Sequence, residues 1–212
     1  HTSHKPKILI GKDSRVSSDM LESCLAGGIC SIGADVIELG VVPTPAVSYL
    51  TPLYHADAGI MISASHNTPE YNGIKIFNAQ GFKLSDELED EIEAFMKNEN
   101  LETLAPGDQT GQVHFCKEAA QDYADHLLKC ADVDLTGLRV AFDCAFGSAG
   151  RTVHKIFEKT GAQCFIFCDS CDGARINDGC GSTHLENIAR LTRENRCDIG
   201  FAFDGDADRC LA

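Results

Sequence analysis

Short apolar runs alternate with longer amphipathic stretches along the whole chain. The period of the apolar positions predicts strands at 7–10, 34–39, 57–63, 73–77, 138–143, 162–167 and 198–203. It predicts helices at 18–32, 46–53, 86–97, 117–130, 148–159 and 185–195. Strands that alternate with helices indicate right-handed βαβ units. The predicted fold is therefore α/β, with doubly wound, mainly parallel sheets.

The alternation is interrupted once, between residues 98 and 111. This segment is polar and contains Pro106, Gly107 and Gly111, which are typical of a linker. We therefore expect two sandwich domains, 1–104 and 105–212.

Composition and charge exclude several classes of protein. Hydrophobic residues make up 43% and charged residues 24% of the 212 positions, as in ordinary globular chains, and no apolar run approaches the roughly 20 residues that span a bilayer. Lys and Arg number 18 against 32 acidic residues, a net charge of −14, which argues against nucleic acid as a partner. No apolar leader opens the chain, so we expect a cytoplasmic protein without membrane contact.

The chain contains eleven cysteines, an odd number, and we expect reduced thiols. The one patterned group is Cys164, Cys168, Cys171 and Cys180, which includes a single C-x-x-C. Structural zinc sites usually show two close pairs of ligands, so this spacing disfavours zinc.

Two loops that follow predicted strands carry candidate chemistry, as expected at the carboxyl ends of parallel strands. In the first, Ser65 stands beside His66 and Asn67, ten residues before Lys75. These are the parts of an activated nucleophile or a phosphate carrier, although Ser and Asn in a loop also serve turn geometry alone.

The second loop carries Asp204, Asp206 and Asp208, followed by Arg209. Gly205 permits a sharp turn that brings the three carboxylates together, and such a cluster suits Mg²⁺. A solvated acidic turn is the alternative. An EF-hand is excluded because Arg209 stands where that loop needs glycine. A cation beside an arginine, with a nearby serine, predicts phosphoryl transfer.

Four blocks, 11–15, 62–67, 72–75 and 204–209, resemble in order the arginine, phosphoserine, lysine and metal loops of the α-D-phosphohexomutase superfamily. Within it, 63–67, 72–75, 175–177 and 180–184 are most similar to the phosphoglucosamine mutase family. That resemblance implies interconversion of glucosamine 6-phosphate and glucosamine 1-phosphate through a phosphoserine and a 1,6-bisphosphate.

The resemblance also implies roles for individual residues. It implies catalytic roles for Ser65, Lys75, Arg15 and His66, phosphate binding by Asn67 and Arg209, and one Mg²⁺ held by phosphorylated Ser65, Asp204, Asp206 and Asp208. Proton exchange by Lys75 would require a lowered pKa. The implied partner is a phosphorylated hexosamine, and a homodimer is left open.

The chain departs from the superfamily pattern in two ways. Thr68-Pro69 stands where proline usually follows the asparagine directly. The resemblance further implies an N-terminal fragment, with both domains incomplete, that is inactive alone. Three alternatives stay open: a phosphoglucomutase or phosphomannomutase, a haloacid-dehalogenase-like phosphatase with Asp204 as nucleophile, and a divalent-ion-binding module without activity.

Overall fold

A computed structural model describes residues 4–97, 104–131 and 133–212. The first sheet has the strand order β4-β3-β1-β2-β5 and is parallel except for β4. Its strands are β1 (Lys7–Lys12), β2 (Asp35–Val41), β3 (Ala58–Ile62), β4 (Ile74–Asn78) and β5 (Val113–Phe115). The helices of this half are α1 (Ser18–Ser31), α2 (Thr44–Leu53) and α3 (Asp86–Lys97), and α4 (Ala119–Cys130) follows β5.

The second sheet has the order β7-β6-β8-β9, with only β9 antiparallel to its neighbour. Its strands are β6 (Arg139–Asp143), β7 (Gln163–Phe167), β8 (Ile199–Phe203) and β9 (Cys210–Leu211). The helices α5 (Val153–Phe157) and α6 (Leu185–Glu194) each follow a single 3₁₀ turn, at Ser148–Arg151 and Gly181–Thr183. The predicted α/β class with mainly parallel sheets is confirmed.

Apolar side chains on both faces of the first sheet form its core. Leu9 and Met61 pack with Leu50 of α2 on one face, whereas Ile10 and Ile60 belong to the cluster on the α1 face. Burial on both faces is what a parallel sheet between helices requires. The strand ends are therefore held in fixed positions relative to one another.

In the second sheet, Phe142 of β6 is fully buried and lies with its ring centroid 4.3 Å from that of Phe157. The rings of Phe201 and Phe203 on β8 stack near the same side chain. This packing fixes the end of β8, from which the acidic loop emerges.

Three sequence predictions need correction. The strands β5 and β9 were not predicted because two or three largely exposed residues are too few to show a period. The helix predicted at 148–159 is a 3₁₀ turn followed by only five α-helical residues.

No helix within the described ranges is long and apolar enough to cross a membrane.

The domain boundary at 104/105 stays a prediction. The predicted linker begins at 98–103, which lie outside the described residues. Since β5 pairs with β2, and Ala119 and Tyr123 of α4 pack in the core of the same sheet, the first half extends beyond residue 105.

The two halves meet where their parallel strands end. The backbone N–H of Thr44, at the start of α2, donates to the carbonyl of Asp206 (2.9 Å), and the Ser14 hydroxyl donates to the carbonyl of Phe146 (2.7 Å). The loops after β1, β3 and β8 consequently face one another across this junction.

Candidate functional site

Ser65 lies in the loop that follows β3. Its backbone adopts the left-handed region (φ 53°), and its N–H donates to the hydroxyl of Ser63 (2.8 Å). The Ser65 hydroxyl donates to Oδ2 of Asp204 across the junction between the halves (2.6 Å). The loop thus presents one hydroxyl oxygen directly to the acidic loop.

The Arg15 guanidinium lies beneath this loop, and its side chain is fully buried. Nε pairs with Asp13 (2.9 Å), while the two terminal nitrogens donate to four backbone carbonyls of the loop, at Ser65, Asn67, Thr68 and Tyr71. All five N–H donors of an arginine are therefore in use. In this arrangement no donor of Arg15 is left for a substrate, and its catalytic role stays a prediction.

The loop is also fastened from the other half of the molecule. The side-chain amide of Asn177 donates to the carbonyls of Ser65 and Asn67 (2.9 Å each). A Cβ built on Gly205 would lie 2.8 Å from the Ser65 carbonyl and 2.7 Å from Ile176 Cδ1, closer than real Cβ contacts. Glycine at 205 therefore allows the two loops to approach each other.

The three predicted metal ligands converge at the end of β8. One carboxylate oxygen from each of Asp204, Asp206 and Asp208 lies within 4.8 Å of the others. Asp204 and Asp206 are fully buried, and Asp208 is exposed. Oδ1 of Asp206 has no hydrogen-bond partner within the described part of the chain. A buried oxygen without a partner, in a set of oxygen donors beside Ser65, fits a hard cation such as Mg²⁺.

Lys75, on β4, lies opposite this cluster. Its ammonium contacts Oδ2 of Asp206 (2.6 Å) and of Asp208 (2.9 Å), and the Thr44 hydroxyl also donates to Asp206 (2.6 Å). Burial alone would lower the pKa of Lys75, but the two carboxylates outweigh it and raise that pKa. This direction is opposite to the lowered pKa that proton exchange requires, so the lysine is charged while both carboxylates contact it.

The two buried acids titrate differently. Burial raises the pKa of Asp204 to about 6, with the Ser65 hydrogen bond opposing and the neighbouring carboxylates reinforcing that rise. Burial also acts to raise the pKa of Asp206, but hydrogen bonds from Lys75 and Thr44 outweigh it and hold that pKa below its ordinary value. Asp204 is thus the carboxylate that gains most from an added positive charge.

The remaining predicted residues lie at the exposed side of the junction. Nδ1 of His66 contacts a terminal nitrogen of Arg209 (2.8 Å), and the backbone N–H of Arg209 donates to Asp204 (3.1 Å). Asn67 is exposed, and its backbone carbonyl accepts hydrogen bonds from the side chains of Arg15 and Asn177. The structure therefore brings eight of the nine predicted residues to the junction, with Asp204 and Asp206 buried there, and places Arg15 beneath the serine loop.

Sequence reasoning missed two residues of this site, Thr44 and Asn177. Thr44 begins α2 after a proline, and its hydroxyl reaches a carboxylate 162 residues away. Asn177 adopts the left-handed region (φ 58°), for which asparagine is enriched. It stands in the block 175–177 of the family resemblance, which did not reveal its contact with the serine loop.

Comparison with known proteins assigns both halves. Residues 1–103 match the model "Phosphoglucomutase/phosphomannomutase, alpha/beta/alpha domain I", and 121–212 match the model for domain II of the same family. The phosphoglucosamine mutase of Clostridium beijerinckii is 53% identical over 99% of this chain and 47% of its own. The chain thus spans about half the length of the curated relatives it matches.

Solved structures share the fold. A phosphoglucomutase/phosphomannomutase family protein from Burkholderia thailandensis superposes with a TM-score of 0.80 and 28% identity, over 97% of this chain and 45% of its own. The Aspergillus fumigatus N-acetylphosphoglucosamine mutase, solved in complex with GlcNAc-6P and magnesium, has a TM-score of 0.56 over 99% of this chain and 34% of its own. At 16% identity it shows the fold alone. With both halves matched in order, the chain belongs to the phosphoglucomutase/phosphomannomutase family.

Proposed function

We propose that the protein to which this chain belongs interconverts glucosamine 6-phosphate and glucosamine 1-phosphate, with Ser65 carrying the phosphoryl group. The observation that carries the proposal is the 2.6 Å hydrogen bond from the Ser65 hydroxyl to Asp204, inside a cluster of three carboxylates. The 53% identity to a phosphoglucosamine mutase supports the amino sugar over other hexoses.

The proposed reaction consists of two transfers through Ser65. In the first, the C1 hydroxyl oxygen of glucosamine 6-phosphate forms a bond to the phosphorus of phosphoserine, and the bond from Ser65 Oγ to phosphorus breaks. The C1 hydroxyl loses its proton and Ser65 Oγ gains one, which leaves the 1,6-bisphosphate. In the second, after the bisphosphate has turned over in the site, Ser65 Oγ loses its proton and forms a bond to the phosphorus of the 6-phosphate. The bond from that phosphorus to O6 breaks and O6 gains a proton, so that phosphoserine is restored and glucosamine 1-phosphate leaves.

The residues that would hold Mg²⁺ are Asp204, Asp206, Asp208 and phosphorylated Ser65. When bound, the cation would withdraw negative charge from the phosphoryl oxygens, which phosphoryl transfer demands. The buried Oδ1 of Asp206, which has no partner within the described residues, and the raised pKa of Asp204 both favour an added positive charge here.

The other residues take distinct roles in the proposal. Arg15 positions the serine loop through its four carbonyl contacts rather than moving protons. Arg209 and His66 would meet the transferring group from the open side, together with the Asn67 side chain. A cation bound to Asp206 and Asp208 would compete with Lys75 for those oxygens and lower its pKa, as proton exchange requires.

The substrate and setting are also part of the proposal. The partner would be a phosphorylated hexosamine in the cytoplasm, and residues that recognise the sugar and its distal phosphate would lie in the half of the relatives' length that this chain does not match. A homodimer remains a prediction.

Phosphopeptide mapping tests the proposal. The full-length protein to which this chain belongs is incubated with glucosamine 1,6-bisphosphate and Mg²⁺, digested and analysed by mass spectrometry. The expected result is one phosphoryl group on Ser65, lost in Ser65→Ala and retained in Ser23→Ala, which alters an exposed helical serine. Phosphate on Asp204, or none under conditions where the full-length protein binds Mg²⁺, would contradict it.

A further inference from the structure

A second cluster of metal-ligating side chains lies in the second half of the chain, away from the three carboxylates described above. A carboxylate oxygen of Asp143 and the sulfurs of Cys168 and Cys180 all lie within 4.8 Å of one another. We propose that these three residues bind a thiophilic divalent cation, with Zn²⁺ as the natural occupant. The proposal does not depend on the proposed function.

The fold brings the three side chains together from separate segments. Asp143 is the last residue of β6, and Cys168 follows directly after the neighbouring parallel strand β7. The backbone N–H of Phe146 donates to the Cys168 carbonyl (2.7 Å), and the N–H of Gly181 donates to Asp143 Oδ2 (2.9 Å), which places Cys180 beside both. Two backbone hydrogen bonds therefore hold the segments that carry the three ligands together.

The charge of this cluster favours a cation. Asp143 is 1% exposed and accepts N–H bonds from Ala145 and Gly181, but among the described residues no Lys, Arg or His forms an ion pair with it. A buried carboxylate without a countercharge is costly, and a bound cation would offset that cost. Asp143 thus offers both a ligand atom and an electrostatic reason for binding.

The sulfur ligands decide which cation would bind. Two thiolates and one carboxylate favour Zn²⁺ over Mg²⁺, which prefers oxygen ligands alone. Zn²⁺ usually takes four ligands, and Cys168 is partly exposed, so a water molecule can complete the set. The acidic cluster at the end of β8 contains no sulfur, so the two sites would select different metals.

Only two of the four cysteines grouped in the sequence, Cys168 and Cys180, belong to the proposed site. Cys171, of the C-x-x-C pair, donates instead to the Gly147 carbonyl (3.2 Å), and Cys164 contacts the carbonyl of Ala162 (3.7 Å). The Cys168 sulfur lies instead within 4.8 Å of the sulfur of Cys180, twelve residues away. The proposed site therefore uses one cysteine of that motif together with an aspartate that the spacing did not reveal.

Metal binding here would fasten the segment that carries Asn177. The N–H of Asn177 donates to the Ala145 carbonyl (3.0 Å), and its side chain holds the serine loop. A cation bridging Asp143 to Cys168 and Cys180 would close this segment onto the ends of β6 and β7. We expect a structural role, seen as a higher thermal midpoint with Zn²⁺.

Cobalt spectroscopy tests the site directly. The chain is kept reduced with a non-thiol reductant, given excess Mg²⁺ to fill the acidic cluster, and titrated with Co²⁺. We expect a thiolate-to-cobalt charge-transfer band that saturates at one equivalent and disappears on addition of Zn²⁺.

Matched cysteine variants assign the band. Removing a residue that only hydrogen-bonds to a metal ligand already lowers metal affinity about 10- to 100-fold. Removing a sulfur ligand itself, in Cys168→Ser or Cys180→Ser, should therefore weaken binding by at least about 100-fold. Cys164→Ser and Cys171→Ser, altered nearby, should retain the band. Because Cys168 is partly exposed, its variant is expected to fold even if that of the buried Cys180 does not.

Two results would overturn the proposal. One is that the reduced chain shows no charge-transfer band, whether or not Cys168 and Cys180 form a disulfide once the reductant is removed. The other is a band of equal intensity in Cys168→Ser and Cys171→Ser, which would place the cobalt on other thiols.

Discussion

Substituting Arg15 by lysine tests how the serine loop is held. Arg15 makes five hydrogen bonds, one to Asp13 and four to loop carbonyls, all at 2.6–3.0 Å. A lysine keeps the positive charge beside Asp13 but offers only three N–H donors, without the planar geometry of the guanidinium. At least two acceptors therefore lose their partner.

The magnitude follows from those lost contacts. A buried acceptor left without a partner costs about 1–3 kcal/mol, so two of them cost about 2–6 kcal/mol. Asn67 and Thr68 are exposed and their carbonyls can gain water, so we expect the lower part of that range, about 2–4 kcal/mol. This equals a roughly 30- to 700-fold increase in the open population of the loop.

Hydrogen exchange of the peptide covering residues 63–73 measures that opening. Its amides include those of Asn67 and Tyr71, which donate within the loop. Arg15→Lys should lower their protection by the predicted factor, whereas Arg190→Lys, at an exposed ion pair with Glu194, should leave it unchanged. Equal protection in the two variants would refute the conclusion that Arg15 positions the loop.

Three further substitutions test other parts of the account. Gly205→Ala should lower the free energy of unfolding, measured by urea titration, by about 1–3 kcal/mol, because the added Cβ overpacks the junction. The control Gly27→Ala lies in a helix with nothing within 4 Å of the added Cβ and should be neutral or stabilising. Equal effects of the two substitutions would contradict the close approach of the two loops at Gly205. Lys75→Gln should lower the free energy of unfolding by about 3 kcal/mol, because it leaves a buried carboxylate without its ion pair. Mg²⁺ should raise the thermal midpoint of this variant more than that of the unaltered chain. An equal rise would contradict the idea that the lysine and the cation bind the same carboxylates. A hydrogen bond from Lys5, together with one from a backbone N–H, lowers the pKa of Asp35, so the stabilising contribution of this carboxylate is present above its unfolded pKa and is lost as the pH falls. The difference in thermal midpoint between the unaltered chain and Asp35→Asn should therefore disappear below about pH 4. A difference that stays constant from about pH 7 to about pH 3 would contradict this.

The sequence predicted most of the fold because the long elements have clear periods. Helix α3 has the predicted bounds, Asp86–Lys97, and the N–H of Leu88 donates to the hydroxyl of Ser85 at its start (3.4 Å). The strand β5 escaped prediction because its pairing with β2 is a tertiary contact that three exposed residues do not encode locally. Periodicity thus reveals elements that bury one face over several turns or alternations, and not short edge strands.

The candidate site was predictable in its residue types but not in its contacts. The spacing of Asp204, Asp206 and Asp208 after a strand indicated a convergent cluster, which the structure contains. The position of Arg15 beneath the serine loop was not predictable, because its partners are backbone carbonyls, which any residue provides. Asn177 was missed for a related reason, since its contacts join segments 110 and 112 residues apart.

The central claim is that Ser65 is the phosphoryl carrier because it faces the acidic cluster. The most direct measurement is the phosphorylation of Ser65 by glucosamine 1,6-bisphosphate in the unaltered full-length protein and in its Asp204→Asn variant, each with and without Mg²⁺, followed by phosphopeptide mapping. The account predicts Mg²⁺-dependent phosphate on Ser65 in the unaltered protein and its loss in the variant. Equal phosphorylation of both proteins, independent of Mg²⁺, would contradict it.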